Sequence, residues 1–469
     1  MYQSFPVNIT GPTYKSRSRP LASQVTRNLY QQVDAGGKEN YTLMPFPGLL
    51  PVSNVTGIDR GLTMMKGKRY RVSGTALYRV DGVNNVKLGS IPGSERCIFA
   101  NDGLNLFINT HGKVYWYDGE KVVLVNDADI QNVLSIDFIN NQFLFTSKDL
   151  TTVSAVGDGS TASGLDAIGA ETNPDELVRD FVFHQRIFRC SKKTIEQWYN
   201  SGVGQPPIEI LDGQIIEVGL GARFSIAKDA DHFYFVGHDR HIYKANTAGS
   251  KDITSPGIIT ALEEMPTIDD AIGYCLKIQR QRFYIITFPS GNKTLAVNTD
   301  LEENGWFELS YGLDGGVFNA TSACYCEGIN YLADSTNGNL YKLDLDCYEY
   351  DSTAIQRRRV TSSINAVLFG KQHRGKKVRM SSMRFVIETG TGLIQGNENP
   401  RIQVESSIDG GKSWAHETWL EIGRLGITSQ EVQWDSMKVF GDMMVRLTFT
   451  EPCPIFLYSA SIDLRLVAK

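Results

Sequence analysis

Between residues 58 and 345 the apolar positions fall into short alternating runs cut by Gly, Asn and Asp. One phrase recurs: a turn containing glycine, a strand carrying an aromatic residue, then Asp or Asn. It reads GTALYRVDG at 74–82, GKVYWYDG at 112–119, GHDRHIYKAN at 237–246 and GNLYKLD at 338–344, with looser copies at 192–200 and 292–300. Ahead of most copies lies an apolar run such as LNLFIN, NQFLFT, QRIFRC or RFYIITF, and ahead of that another such as RCIFA, SIDFI or YCLKI. Alternation of period two in runs this short predicts strands. Strand–turn–strand units spaced by roughly 38 to 53 residues match propeller blades. A single blade cannot bury both of its faces, so several must pack around an axis. Seven units can be drawn, at 58–88, 96–125, 133–155, 177–200, 223–255, 270–308 and 317–345, with the third the weakest and six blades the alternative count. The stretch VGDGSTASGLDAIGAETNPD (156–175) is rich in Gly, Ser and Thr and reads as a mobile excursion between blades.

The flanks have different patterns. Residues 1–57 show little periodicity and carry Pro6, Pro12, Pro20, Pro45 and Pro47. They read as an extended N-terminal arm with one short helix near 22–32. Two roles stay open for it: wrapping a neighbouring subunit, as extended termini do, or supplying a strand that closes the propeller ring. Residues 351–375 read as a basic linker. From 376 to 469 long alternating strands return with turn signals between them, which predicts a β-sandwich of roughly ninety residues. The fold class expected is all-β: a propeller over 58–350, then a C-terminal sandwich.

Composition adds bounds. The chain has 469 residues, 41% apolar and 21% charged, in the ordinary range for a globular protein. No run approaches the ~20 apolar residues of a membrane span, and no signal-peptide pattern opens the chain; membrane insertion is not expected. The sequons NIT (8–10) and NVT (54–56) read as accidental without a secretory route. Seven cysteines scattered over this length point to reduced thiols. Net charge is −5, unevenly spread. Residues 1–33 hold four basic residues and no acid. Residues 352–387 hold nine: Arg357, Arg358, Arg359, Lys371, Arg374, Lys376, Lys377, Arg379 and Arg384, again with no acid. Removing those thirteen from −5 leaves −18 on the remainder. The body is acidic and two segments are basic.

Catalytic signals are sparse. Residues 407–414, SIDGGKSW, fit the Asp-box pattern S-x-D-x-G-x-x-W of sialidases and related propellers, through Ser407, Asp409, Gly411 and Trp414. The chemistry is that of a hairpin: glycines take positive φ, the aspartate accepts backbone N–H groups, and the tryptophan folds back. Sialidase chemistry would also need repeated boxes, three arginines for the substrate carboxylate and a Tyr–Glu nucleophile pair. This box is single and lies outside the predicted propeller. Cys324-x-Cys326 sits in an alternating strand, with no second Cys/His pair at zinc spacing. Of seven histidines only His238 and His241 come close, on a turn that points them apart. No nucleophile elbow, phosphate loop or H-E-x-x-H is present. No catalytic residue, metal or cofactor is assigned.

An ordered set of stretches resembles the tail-hub proteins of short-tailed bacteriophages, also called packaged-DNA-stabilisation proteins or tail accessory factors. The stretches are FPGLL (46–50), GIDRG (57–61), VSGTALYRV (72–80), RDFVFHQRIFRCSKKTIEQWYNSG (179–202) and ITSPGIITALEE (253–264). In the C-terminal part they are MRFVIETGTG (383–392), SSIDGGKSW (406–414) and VRLTFTEPCPIFLYSASIDLRL (445–466). Each is weak alone, and their order carries the resemblance. It implies a non-enzymatic virion protein, made in the host cytoplasm, that forms a ring, a hexamer, below the portal and its adaptor. Such a ring closes the channel after DNA packaging and bears the tail needle and the tailspikes or fibres, and double-stranded DNA later passes through it. An acidic body suits a conduit for a polyanion, since phosphate-neutralising contacts would make DNA stick.

The basic run Arg357, Arg358, Arg359, Lys371, Arg374, Lys376, Lys377 and Arg379 then has three readings: an interface facing acidic tail neighbours, a contact with DNA at the channel mouth, or a solvated linker. Two rival functions remain, a glycan-binding or glycan-cleaving propeller protein and a generic propeller scaffold.

Overall fold

The computed structural model describes residues 1–15, 23–33, 41–169, 175–301, 305–389, 399–423 and 430–467. Among them lie seven four-stranded antiparallel sheets in a ring, followed by a β-sandwich. The six-blade alternative is thereby set aside. Within blades one to six the strands follow the sequence outward from the axis, and the first strand of blade seven, Ala320–Cys326, meets that of blade one, Asp59–Met65.

Local chemistry explains the repeat. Lys66–Gly67, Asn140–Asn141, His184–Gln185, Gln279–Arg280 and Glu327–Gly328 have positive φ at both residues. That is the type I′ hairpin, whose twist matches the strands it joins. Each links the first and second strands of its blade. The aromatic residues of the apolar runs then pack between blades. Phe107 meets Phe143 at 4.1 Å between blades two and three, Phe181 meets Phe233 at 4.9 Å between four and five, and Tyr234 stacks on Tyr284 at 5.1 Å between five and six. These contacts hold neighbouring sheets face to face.

Closure of the ring uses the N-terminal region. Gly48–Asn54 pairs antiparallel with Asn339–Asp344 and forms the outer strand of blade seven. A Cβ at Gly48 would lie 2.3 Å from the Glu349 carbonyl oxygen and 2.7 Å from that of Cys347, so only glycine allows this approach. Other described N-terminal strands reach the sandwich. Gln3–Val7 pairs with Phe456–Leu466, and Leu29–Val33 with Tyr41–Pro45, which in turn meets Phe456–Leu466. Of the two roles left open for the arm, ring closure is the one Gly48–Asn54 takes; the correction is to its conformation, since its described part is paired β-structure and no helix forms at 23–32. SQVTR and LYQQV alternate as strands, broken by Asn28 at φ 52°. Arg17 and Arg19 lie outside the described residues. The one described α-helix is Pro256–Glu263, between blades five and six.

A second correction concerns 156–175. Asp158–Gly169 is the outer strand of blade three, paired with Leu150–Ala155 through two register shifts. Its small and polar residues suit an edge strand with bulges, which composition alone reads as loop. Residues 170–174 lie outside the described set.

The sandwich core is built from Val378–Glu388, Arg401–Ser407, Gln430–Phe440, Asp442–Phe449 and Phe456–Leu466. A bulge between Met380 and Ser382 resets the alternation, so that Met380, Met383, Phe385 and Ile387 all face inward. The two domains share a sheet. Ser23–Arg27 pairs in parallel with blade six at Arg27–Glu308 and antiparallel with Arg357–Val360, which pairs with Asp442–Phe449. Asn28 keys this seam, its carboxamide donating to the Ser310 carbonyl, the Ser310 hydroxyl and the Gln356 carbonyl.

Candidate interaction surfaces

The basic segment divides in two. Arg357 and Arg359 are fully buried. The Arg357 guanidinium donates to the carbonyls of Cys453 at 2.8 Å and Tyr348 at 3.1 Å. Arg359 donates to Thr26 Oγ1 at 2.8 Å, Gln24 Oε1 at 2.7 Å, and the carbonyls of Pro12 and Asn8 at 3.3 Å. Burial pulls their pKa down, to about 10 for Arg357 and about 9 for Arg359. These two residues leave the interface reading: alternation turns both inward, where Arg359 ties the N-terminal region to the sandwich and Arg357 ties Tyr348 to the turn at Cys453. Arg358 faces the other way and is only partly covered.

Lys371, Arg374, Lys376, Lys377 and Arg379 are all exposed. They begin in the second of two short 3-10 turns, Ala366–Phe369 and Lys371–His373, and run into the strand Val378–Glu388. Arg379 stands opposite Arg465 on one neighbouring strand and the half-exposed Val439 on the other. The strip is cationic with an apolar margin. Arg384, farther along the strand, is neutralised by Asp463 at 2.9 Å.

The Asp-box residues form a tight hairpin end. Asp409 accepts the backbone N–H of Lys412 at 2.9 Å and of Ser413 at 3.0 Å, together with the hydroxyls of Ser413 at 2.5 Å and Ser407 at 2.7 Å. Those bonds, with the one from the Ser413 hydroxyl first, hold its carboxyl far below the usual range. The Gly411 N–H donates to Ser407 Oγ at 2.8 Å, and Gly410 and Gly411 take φ of 75° and 84°. Trp414 carries the Arg446 guanidinium over its ring at 4.4 Å, and Arg446 binds Glu405 through two bonds of 2.7 Å. Every oxygen of Asp409 is committed to the turn.

The glycan reading required arginines converging near a Tyr–Glu pair. Arginines do converge, where the first strands of the propeller begin. Arg96 and Arg223 flank the Phe224 ring at 5.9 and 4.9 Å, and Arg179 donates to the Arg223 carbonyl at 3.0 Å. Tyr274, within electrostatic reach of Arg96, has its hydroxyl bound to the Ala320 carbonyl at 2.8 Å. The Tyr199–Glu209 pair, at 2.8 Å, belongs to the outer strands of blade four. The two halves of that chemistry are thus in different places. Among the described residues no group of three or more His, Cys, Asp or Glu is placed to hold a metal ion, and all seven cysteines are free thiols. No helix among them is long and apolar enough to cross a membrane.

One cluster escaped the sequence. Arg27, Lys293, Glu308 and Arg446 gather with Arg358 and Trp414 at the domain seam. Glu308 is bound by Arg27 at 2.9 Å and Lys293 at 2.7 Å. The six members come from six separate segments spread over 27–446, and no local window links them.

Comparison with known proteins returned two family profiles. One described as bacteriophage P22 Gp10, beta-propeller, matches residues 3–348, and one described as bacteriophage P22 Gp10, beta-sandwich, matches 367–465. No curated protein matched. Solved structures that resemble the chain do so distantly. The extracellular domain of BT4673 from B. thetaiotaomicron has 9% identity and a TM-score of 0.44, covering 95% of this chain and 64% of its own. The WD40 domain of Neurospora crassa Pan2 has 10% identity and a TM-score of 0.41, covering 64% of this chain and 96% of its own. PorZ of Porphyromonas gingivalis has 10% identity and a TM-score of 0.39, covering 63% of this chain, which spans only 38% of PorZ.

Proposed function

The chain belongs to the bacteriophage P22 Gp10 family of short-tailed phage tail proteins, and from that premise we propose how it works. It is a non-enzymatic structural component of the virion tail, assembled as a hexameric ring below the portal and its adaptor. The ring closes the DNA channel after packaging and carries the attachment sites for the tail needle and for tailspikes or fibres. One observation carries this reading: the two profiles match consecutive parts of the chain, in order, across both domains.

The physical arrangement supports the proposal in two ways. A propeller closed by its own N-terminal strand and sharing a sheet with the sandwich is a stiff block, which suits a part that must pass load between neighbours. The exposed strip Lys371–Arg379 offers cations to acidic partners, while the remainder of the chain stays acidic toward DNA. Of the readings of that strip, contact with a protein neighbour is favoured, because the apolar Val439 beside Arg379 suits a protein surface better than a phosphate backbone.

The test is to mix the purified chain with a portal–adaptor complex, then image it by electron microscopy and follow mass by light scattering. The expected result is an added ring of density at the far end of the adaptor. A chain that stays monomeric beside the assembled complex, or that hydrolyses a glycoside, would overturn the proposal.

A further inference from the structure

Where blade six, the helix Pro256–Glu263, the strand Ser23–Arg27 and the Asp-box hairpin meet, they leave a cleft of about 260 Å³. Four cations line it: Arg27, Lys293, Arg358 and Arg446. Two carboxylates answer them. Glu308 takes Arg27 and Lys293, and Glu405 takes Arg446. Arg358 is left over. Among the described residues its guanidinium has no hydrogen-bond or ion-pair partner, and its Nε is buried. Burial first, and then the nearby Arg27 and Arg446, push its pKa down to about 10, against the smaller opposing pull of Glu405 and Glu308. A cation held among cations in a partly dry cleft is costly unless something negative joins it. The rest of the lining includes apolar groups, Trp414 and Met444 from the sandwich and Ile258 and Leu295 from the propeller side, with Arg446 over one face of the Trp414 ring.

We propose that this cleft is a binding site for a carboxylate carried on a small apolar body, with Arg358 as the group that takes the carboxylate and Trp414 as the surface that takes the body. A guanidinium with free N–H groups presents the planar fork that matches a carboxylate. The four cations of the lining face one carboxylate there, Glu308, and a second behind Arg446, Glu405; the net excess of positive charge favours an anion over a neutral ligand. The volume accommodates a ring or a short side chain and excludes a larger sugar or a nucleic-acid strand. The carboxylate could belong to a free small molecule or to the acidic end of a protein segment, and both present the same chemistry to Arg358. This site stands independently of the assignment to the tail.

Calorimetric titration of the full chain with benzoate, at fixed ionic strength in chloride, tests it. Benzoate is expected to bind, with inorganic phosphate and benzyl alcohol each at least about tenfold weaker because each lacks one half of the match. Arg358→Gln is expected to weaken benzoate about tenfold or more. It should fold normally, since the Arg358 side chain bonds to nothing, and its melting temperature should equal or exceed that of the parent. Trp414→Phe keeps a flat apolar ring and should retain binding. Absence of benzoate binding, equal affinity in Arg358→Gln, or phosphate binding as tightly as benzoate would each overturn the proposal. An acidic peptide that binds the parent and not Arg358→Gln would support it and place the carboxylate on a protein partner.

Discussion

The two halves of the basic segment look alike as sequence and behave as opposites in the fold. Arg357–Arg359 begins a strand whose alternation sends the first and third guanidiniums into the seam, where carbonyls and side-chain oxygens surround them. Lys371–Arg379 starts in a 3-10 turn, and its five cations are exposed. Charge in a run does not say where it goes; the period of the element that carries it does. The buried half fastens this chain to itself, and the exposed half is free to meet something else.

The strongest way to break that contrast is to remove a buried member. Arg359→Met takes a donor away from Thr26, Gln24, Pro12 and Asn8 at once and leaves those acceptors dry. A loss of about 3 kcal/mol is expected in denaturant unfolding. A cost below about 1 kcal/mol would mean that the guanidinium is not what ties the N-terminal region down.

A smaller effect, set by pH, sharpens the picture of the same seam. Burial pushes the Glu308 carboxyl up, but Lys293 and Arg27 outweigh it and hold the pKa below the ordinary value. A carboxylate depressed in the folded state stabilises fully above its unfolded value of about 4.3, and that contribution is lost as pH falls through the folded pKa. Glu308→Gln should therefore cost about 2 kcal/mol near pH 7, with the difference from the parent shrinking below about pH 4. Unfolding curves of both proteins at neutral and acid pH check this. A gap that does not close in acid would place the loss in packing and not in charge.

How far the sequence could be read follows from the range of each interaction. Blade repeats were legible because hairpins and alternation are local: GKVYWYDG announces its own turn and strand. The sandwich strands were legible for the same reason. Three features were not. Asp158–Gly169 pairs as a strand despite a composition that marks loops. Ring closure by the arm was one of two roles open to it, but that Gly48–Asn54 does this against Asn339–Asp344 could not be read near residue 48. The seam cleft binds Arg27 to Glu308 and sets Arg358 and Trp414 in one lining, an arrangement that exists only after the two domains share a sheet. The Asp-box was recognised as a hairpin, and its geometry is that of a hairpin. That it also walls a cleft could not be read from it.

The exposed half makes the smallest demand on stability and the most specific one on assembly. Replacing Lys371, Arg374, Lys376, Lys377 and Arg379 with glutamine removes charges that have no described carboxylate within ion-pair distance. Each change should alter stability by no more than about 0.5 kcal/mol. Association with other tail components should respond differently. Long-range attraction to an acidic partner is screened by salt, so the parent should assemble more slowly as sodium chloride rises, while the glutamine variant should be slow throughout and nearly insensitive to it. Equal rates for the two proteins at every salt concentration would mean that the strip is a solvated face, and the division between a half that holds the chain and a half that meets a partner would lose its second term.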